Sequence, residues 1–204
     1  MKIEQGPLPL ETWGLSITAQ DYDGTPPLPE VRFDQAPQTL HPERAAVASY
    51  LILHPWISGT MQAGPWITPI VSEALRKASE PSWMSPTGLT LYAKPVAKGI
   101  RSATATLCAP QAVPSGAELD LHFVRSDRNF GSHWNGRSVV IPSNVWLFSN
   151  GDESPERTAE LALGAAMLFS EDYGIRTYQV EPELKNAEWL RGLLDSMGIK
   201  LQVV

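Results

Sequence analysis

Residues 154–204 read SPERTAELALGAAMLFSEDYGIRTYQVEPELKNAEWLRGLLDSMGIKLQVV, and this stretch decides the fold class. Ser154-Pro155-Glu156 is a helix start: a hydroxyl cap, a proline whose φ suits the first turn, and an acid at the positive helix end. Leu161, Ala165, Leu168 and Phe169 then fall on one helical face, and Gly174 is the predicted stop. Ile175–Val180 has the length and composition of a strand. Glu183–Met197 predicts a second helix with Ala187, Leu190, Leu194 and Met197 facing inward, ended by Gly198, and Ile199–Val204 predicts a last strand. Ser138–Phe148 is strand-like ahead of this run, although Pro142 suggests an edge strand or a bulge there. Residues 138–204 therefore form a βαβαβ unit, which demands right-handed crossovers and a parallel sheet.

Upstream of it, residues 1–137 read differently. Thr12–Gln20 alternates strictly, with Trp13, Leu15, Ile17 and Ala19 on one face, as a half-buried strand does. Asp21–Pro37 is rich in Pro and Asp and predicts a loop. His41-Pro42-Glu43-Arg44 opens a helix that carries Val47, Tyr50, Leu51 and His54 on one face and stops at Pro55. Thr68-Pro69 opens another, with Ile70, Val71, Ala74, Leu75 and Ala78 as its stripe. Leu89–Ala93, Arg101–Leu107 and Glu118–Val124 predict three strands. In the last of these, Leu119, Leu121 and Phe123 share a face and His122 takes the other. These short strands favour antiparallel pairing. The expectation is one mixed α/β (α+β) domain over 1–204, with an antiparallel N-terminal half (1–137), a parallel C-terminal half (138–204) and no internal repeat.

Composition narrows the function. The chain has 204 residues, 43% hydrophobic and 19% charged, which is an ordinary globular balance. No apolar run approaches the roughly 18 residues that span a bilayer, and Met1–Pro7 lacks the layout of a signal peptide. The expected location is the cytoplasm, with no membrane contact. The single Cys108 excludes an internal disulfide framework and any cysteine-rich zinc site, and a buried thiol at a strand end is the expected setting. Net charge is −6, and the basic residues are scattered, with Arg76-Lys77 the longest run. Direct binding to nucleic acid is disfavoured, because phosphate neutralisation needs clustered Lys and Arg. An acidic chain suits a basic partner. Seven Trp is an unusual number. One or two of them are expected at the surface, where indoles anchor interfaces.

Two loops carry candidate chemistry. Ser126–Arg137 gathers Asp127, Arg128, His133, Trp134, Asn135 and Arg137. Asp127 could orient His133 for general-base work, and Arg128 or Arg137 could clamp a carboxylate. The structural reading of the same residues is a hairpin with Asn135-Gly136 at its turn. The second place is the carboxyl edge of the parallel strands, where Asp152, Glu153, Glu156, Glu181 and Glu183 collect. Carboxylates there repel a phosphate and already complement helix N-termini. No dinucleotide, P-loop, nucleophile-elbow or paired-histidine metal motif occurs, so neither a cofactor nor a metal is expected.

The sequence thus favours a non-catalytic protein-binding module that engages a basic partner through Trp134, Asn135, Arg137, Asp152, Glu153, Glu156, Glu181 and Glu183. A bacterial immunity-type inhibitor or an accessory subunit of a conflict system would have this character. The alternatives are a small hydrolase or transferase built on Asp127, Arg128 and His133, and a nucleic-acid-associated subunit whose basic patch appears only on folding.

Overall fold

The computed structural model describes residues 1–79, 84–91, 95–108, 116–152, 154–180 and 187–203. Besides two 3-10 turns, eleven strands and four α-helices are described: β1 (Lys2–Leu8), β2 (Thr12–Thr18), β3 (Glu30–Phe33), α1 (Pro42–Leu53), β4 (Thr60–Ala63), α2 (Pro69–Ala78), β5 (Ser85–Pro86), β6 (Arg101–Leu107), β7 (Leu119–Arg125), β8 (His133–Asn135), β9 (Ser138–Ser143), α3 (Pro155–Phe169), β10 (Ile175–Val180), α4 (Ala187–Asp195) and β11 (Lys200–Val203). The strands form one mixed sheet in the order β11-β10-β6-β7-β9-β3-β2-β1-β4-β5, with β8 beside β9. β1, β2 and β3 pair antiparallel, while β11, β10, β6, β7 and β9 run parallel. The N-terminal strands β1–β3 have the antiparallel character expected from the sequence and the C-terminal strands are parallel, but the parallel pairing begins earlier than expected: β6 and β7, inside the half 1–137, pair parallel, as does β4 with β1.

One side of the sheet is apolar. Ile3, Leu15, Val31, Phe33, Ala103, Leu119, Leu121, Phe123, Val139 and Ile141 join residues of all four helices in a single core cluster. The helices therefore form one layer on that side. Phe33 is its centre, edge-on to both Phe123 and Phe169 with centroids 6.2 and 5.5 Å away. By alternation, the opposite face carries Lys2, Glu4, Ser16, Glu30, Arg32, Ser102, Thr104, Thr106, Asp120, His122, Ser138 and Gln179.

The element order contains a repeat that the sequence reading did not detect. β1-β2-β3-α1-β4-α2-β5 is matched by β6-β7-β9-α3-β10-α4-β11, with β8 as an addition. The strand orders mirror one another, β5-β4-β1-β2-β3 against β11-β10-β6-β7-β9, and the two units meet where β3 pairs β9. The second unit takes in β6 and β7 as well as the strand–helix alternation from residue 138 onward. The units differ at the middle strand. β2 is antiparallel to its neighbours, whereas β7 is parallel to both of its own. A parallel successor cannot be reached by a tight hairpin, so the chain must return along the sheet before β9, and β8 is part of that return. In the sequence the repeat survives at two helix starts, Pro42-Glu43-Arg44 and Pro155-Glu156-Arg157, each behind a capping side chain, His41 or Ser154.

Several local expectations are corrected. The Asp21–Pro37 loop contains β3, whose buried Val31 and Phe33 are too few to show a period but pair against Leu15 and Trp13. β1 went unread because Gly6-Pro7 breaks its alternation. Pro142 does not mark a sheet edge: β9 lies inside the sheet. Asp34 N–H donates to the Pro142 carbonyl at 3.1 Å. The missing Pro N–H therefore points to the same side, into the break where β8 gives way to β3. β9 ends at Ser143, and Val145–Ser149 is a 3-10 turn rather than strand. α3 stops at Phe169, five residues before Gly174. Of the Leu89–Ala93 strand, Leu89 makes only an isolated parallel bridge to Ile67, and Tyr92 and Ala93 lie outside the described residues. Residues 181–186, which include the predicted start of the last helix at Glu183, lie outside them too. Cys108 is exposed rather than buried. His122 is buried, as is its neighbour Asp120.

Candidate functional site

The loop and hairpin from Ser126 to Arg137 are positioned by β7 and β9. Asn135-Gly136 makes the turn into β9, with Gly136 at φ 63°. Trp134 lies opposite Val139 in the hairpin and is 55% exposed. Its ring stands edge-on to Tyr173, centroids 5.6 Å apart, and its indole N–H donates to the Gly136 carbonyl. The ring is therefore held from below and satisfied internally, with a free outer face. Phe130, in the loop before β8, is 88% exposed, and Asp34 accepts from the Gly131 N–H at 3.1 Å. Of the tryptophans in the described residues, Trp66 and Trp134 are exposed, Trp56 is buried, and Trp13, Trp146 and Trp189 lie between.

The polar residues of this loop are drawn away from one another. Asp127 is gripped by Arg125, with Nε–Oδ1 3.0 Å and Nη2–Oδ2 2.7 Å. That guanidinium holds the Asp127 carboxyl below its ordinary range, and the carboxylate raises Arg125 in return. Arg125 also stacks on the Trp146 ring, 3.9 Å from the centroid. His133 is exposed on β8, and among the described residues no hydrogen bond or ion pair links it to Asp127. Arg128 is exposed and lies in the turn after β7, where its N–H donates to the Arg125 carbonyl. Asn135 is exposed at the end of β8, opposite Ser138 in the hairpin. Arg137 reaches back instead to the buried Asp120, Nε–Oδ2 2.8 Å.

Asp120 belongs to a constellation that the sequence reading missed. Its other oxygen accepts from Thr104 Oγ1 at 2.6 Å. Two residues along β7, His122 Nδ1 bonds Thr106 Oγ1 at 2.7 Å, and its Nε2 is buried with no hydrogen-bond partner among the described residues. Burial pushes the His122 imidazole below its ordinary pKa, against a smaller opposing effect of Asp120. The only sequence signal was negative: β7 is polar at alternate positions yet sits in the middle of the sheet, so Asp120 and His122 require partners on β6 and β9.

The acidic cluster lies elsewhere. Asp152 accepts from the Ser154 N–H at 2.9 Å, which lowers its carboxyl, and Ser154 in turn caps Arg157 N–H. Glu156 occupies the first turn of α3. Glu153, Glu181 and Glu183 lie outside the described residues. Asp152 stands at the start of α3 and Trp134 packs on Tyr173 beyond its end. The two groups are thus separated along a 15-residue helix, about 22 Å at 1.5 Å per residue.

In the first unit, an open pocket of about 500 Å³ is lined by Gln20, Asp21, Tyr22, Ser58, Gly59 and Thr60. The adjacent Asp23 carboxylate is engaged by the Met1 amine at 2.7 Å. Among the described residues, no three His, Cys, Asp or Glu side chains converge as metal ligands, and no helix is long and apolar enough to cross a membrane. No protein-family model, no curated protein and no solved structure matches the chain.

Proposed function

We propose that this chain is a non-catalytic protein-binding module anchored by Trp134. The observation that carries the reading is the setting of that indole. It is exposed, braced against Tyr173 and internally hydrogen-bonded, so little rotamer freedom is lost when its outer face is covered. Phe130 adds a second exposed ring in the same loop. The net charge of −6 and the carboxylates Asp152 and Glu156 favour a basic partner. A separation of about 22 Å fits within the roughly 30 Å width of a standard interface of about 800 Å² per side. An inhibitor or accessory subunit in a bacterial conflict system is the biological setting this chemistry suits. Glu153, Glu181 and Glu183 extend the acidic group in sequence.

Affinity capture of the tagged chain from its host, read by mass spectrometry, tests this. The expected result is a stoichiometric basic protein, recovered with wild type and lost with both Trp134→Ala and the Asp152→Lys, Glu156→Lys pair. Recovery of the chain alone, or of a protein indifferent to both variants, contradicts it.

A further inference from the structure

The sheet ends on the side of the first unit in β5, which pairs with β4. Past β5 the same edge continues through the parallel bridge between Ile67 and Leu89. Ile67 N–H donates to the Gly88 carbonyl and Thr90 N–H to the Ile67 carbonyl, both at 2.9 Å. Leu89, between them, therefore turns its own N–H and C=O outward. Among the described residues, neither group has a hydrogen-bond partner.

Native sheets guard such edges with charge or proline. β11, at the opposite end of the sheet, carries Lys200. Pro86 removes one donor from β5, but no charge stands beside Leu89 in the chain. Residues 55–72 and 84–91, which build this edge, contain no Asp, Glu, Lys or Arg. The 19% charged fraction of the whole chain would place about five in those 26 residues. Interface cores show the same depletion of charge. Four large apolar side chains stand exposed within three residues of the bridge: Trp66 at 43%, Ile70 at 69%, Leu89 at 61% and Leu91 at 81%. Together they offer about 500 Å² of apolar surface, as much as the largest patch on a typical monomer.

We propose that this edge is a dimerisation site, covered by the same edge of a second copy related by a two-fold axis. An isologous pair needs a self-complementary surface. An uncharged edge provides one, since it brings no like charges together in a chain of net charge −6. A two-fold axis at Leu89 lets the two Leu89 residues exchange both of their outward bonds, as an antiparallel pair does. Two such patches bury about 1,000 Å², the lower end for a specific interface. The dimer is therefore weak and concentration-dependent. β5 belongs to the first unit and Trp134 to the second, so the proposal does not rest on the protein-binding reading.

The test is sedimentation equilibrium of the purified full chain between about 1 and 200 µM, at about 0.15 M salt. The expected result is a monomer–dimer equilibrium with a dissociation constant of about 10 µM. Leu89→Lys sets two ammonium groups opposite each other and weakens the dimer at least about fiftyfold, so that monomer dominates throughout. Val203→Lys, on the free edge of β11, leaves the dimer unchanged. Should Leu89→Lys fail to fold, Ile70→Gln on the exposed first turn of α2 decides in its place, weakening the dimer about tenfold. A monomer throughout the range overturns the proposal, as does a dimer indifferent to the Leu89 or Ile70 variant. Loss of the dimer in Val203→Lys overturns it too. So does a mass that climbs past the dimer, the sign of head-to-tail pairing between β5 and β11.

Discussion

Arg44 and Arg157 hold the same position in two antiparallel helices, and each reaches the carboxyl end of the other's helix. Arg157, 4% exposed, donates to the carbonyls of Leu51, Ile52 and Phe148 at 2.8, 2.6 and 2.9 Å, and pairs with Glu160 at 3.0 Å. Arg44, 2% exposed, donates to Ser170 Oγ at 2.8 Å and to the Ala97 carbonyl at 2.7 Å. Ser170 is the residue that closes α3. Arg157 thus satisfies carbonyls left over at the negative end of α1, whereas Arg44 meets the end of α3 through the Ser170 hydroxyl, which itself donates to the Met167 carbonyl. Arg157→Ala leaves three carbonyls without their donor and is expected to cost about 3–5 kcal/mol. Arg44→Ala, with fewer bonds, should cost about 2 kcal/mol. The two sites lie a helix length apart, so urea unfolding of the double variant should show costs that add within about 0.5 kcal/mol.

Two helical glycines invite opposite outcomes from one substitution. A Cβ at Gly164 of α3 would stand 2.8 Å from Ile52 Cγ1, 3.1 Å from Leu51 Cβ and 3.2 Å from the Ala48 carbonyl of α1. Helix propensity favours Ala by about 1 kcal/mol, but forcing these helices apart costs about 1–3 kcal/mol. Gly164→Ala is therefore expected to lower the melting temperature. At Gly192 of α4 an added Cβ meets nothing within 4 Å, so Gly192→Ala should raise it.

One side chain strengthens the sheet seam between the two units. β3 and β9 share a single ladder pair, Phe33 with Ser143. Asn144 extends it by accepting from Arg32 N–H at 2.7 Å and donating to the Glu30 carbonyl at 3.0 Å. Asn144→Ala should destabilise by about 2–3 kcal/mol, through two lost bonds and two unpaired groups. Hydrogen exchange should show the Arg32 amide losing protection first.

His122 makes stability depend on pH. Its folded pKa is depressed by burial, so the folded state disfavours protonation. The neutral ring's contribution is complete above the unfolded pKa of about 6.5 and is lost as pH falls below it. Lowered carboxyls such as Asp127 and Asp152 act in a lower window, below about pH 4. Between pH 7 and 5 the melting temperature should therefore fall more steeply for wild type than for His122→Asn.

What was legible in the sequence follows from how local its cause is. The starts of α1, α2 and α3 were readable because cap, proline and apolar stripe all lie within one or two turns. The parallel C-terminal run was readable because strand–helix alternation admits few topologies. β3 was not, since four residues show no period until β2 and β9 pair with them. The interior place of β9 was masked by Pro142, whose missing donor is harmless only because β8 and β3 succeed each other there. The repeat is written in strand order rather than in side chains, and only the two Pro-Glu-Arg starts betray it. At the candidate site, exposure of Trp134 agrees with the hairpin reading. The partners of Asp127 and Arg137 could not be foreseen, because Arg125 and Asp120 reach them from β7.

The most direct test of the account is the affinity of the purified chain for its captured partner, measured by calorimetry at about 0.15 M salt. The account predicts that Trp134→Ala weakens binding by at least 2 kcal/mol, about thirtyfold, as loss of an interface anchor does. The Asp152→Lys, Glu156→Lys pair should weaken it further and abolish its salt dependence. Unchanged affinity in Trp134→Ala, with its fold intact by circular dichroism, would contradict the account.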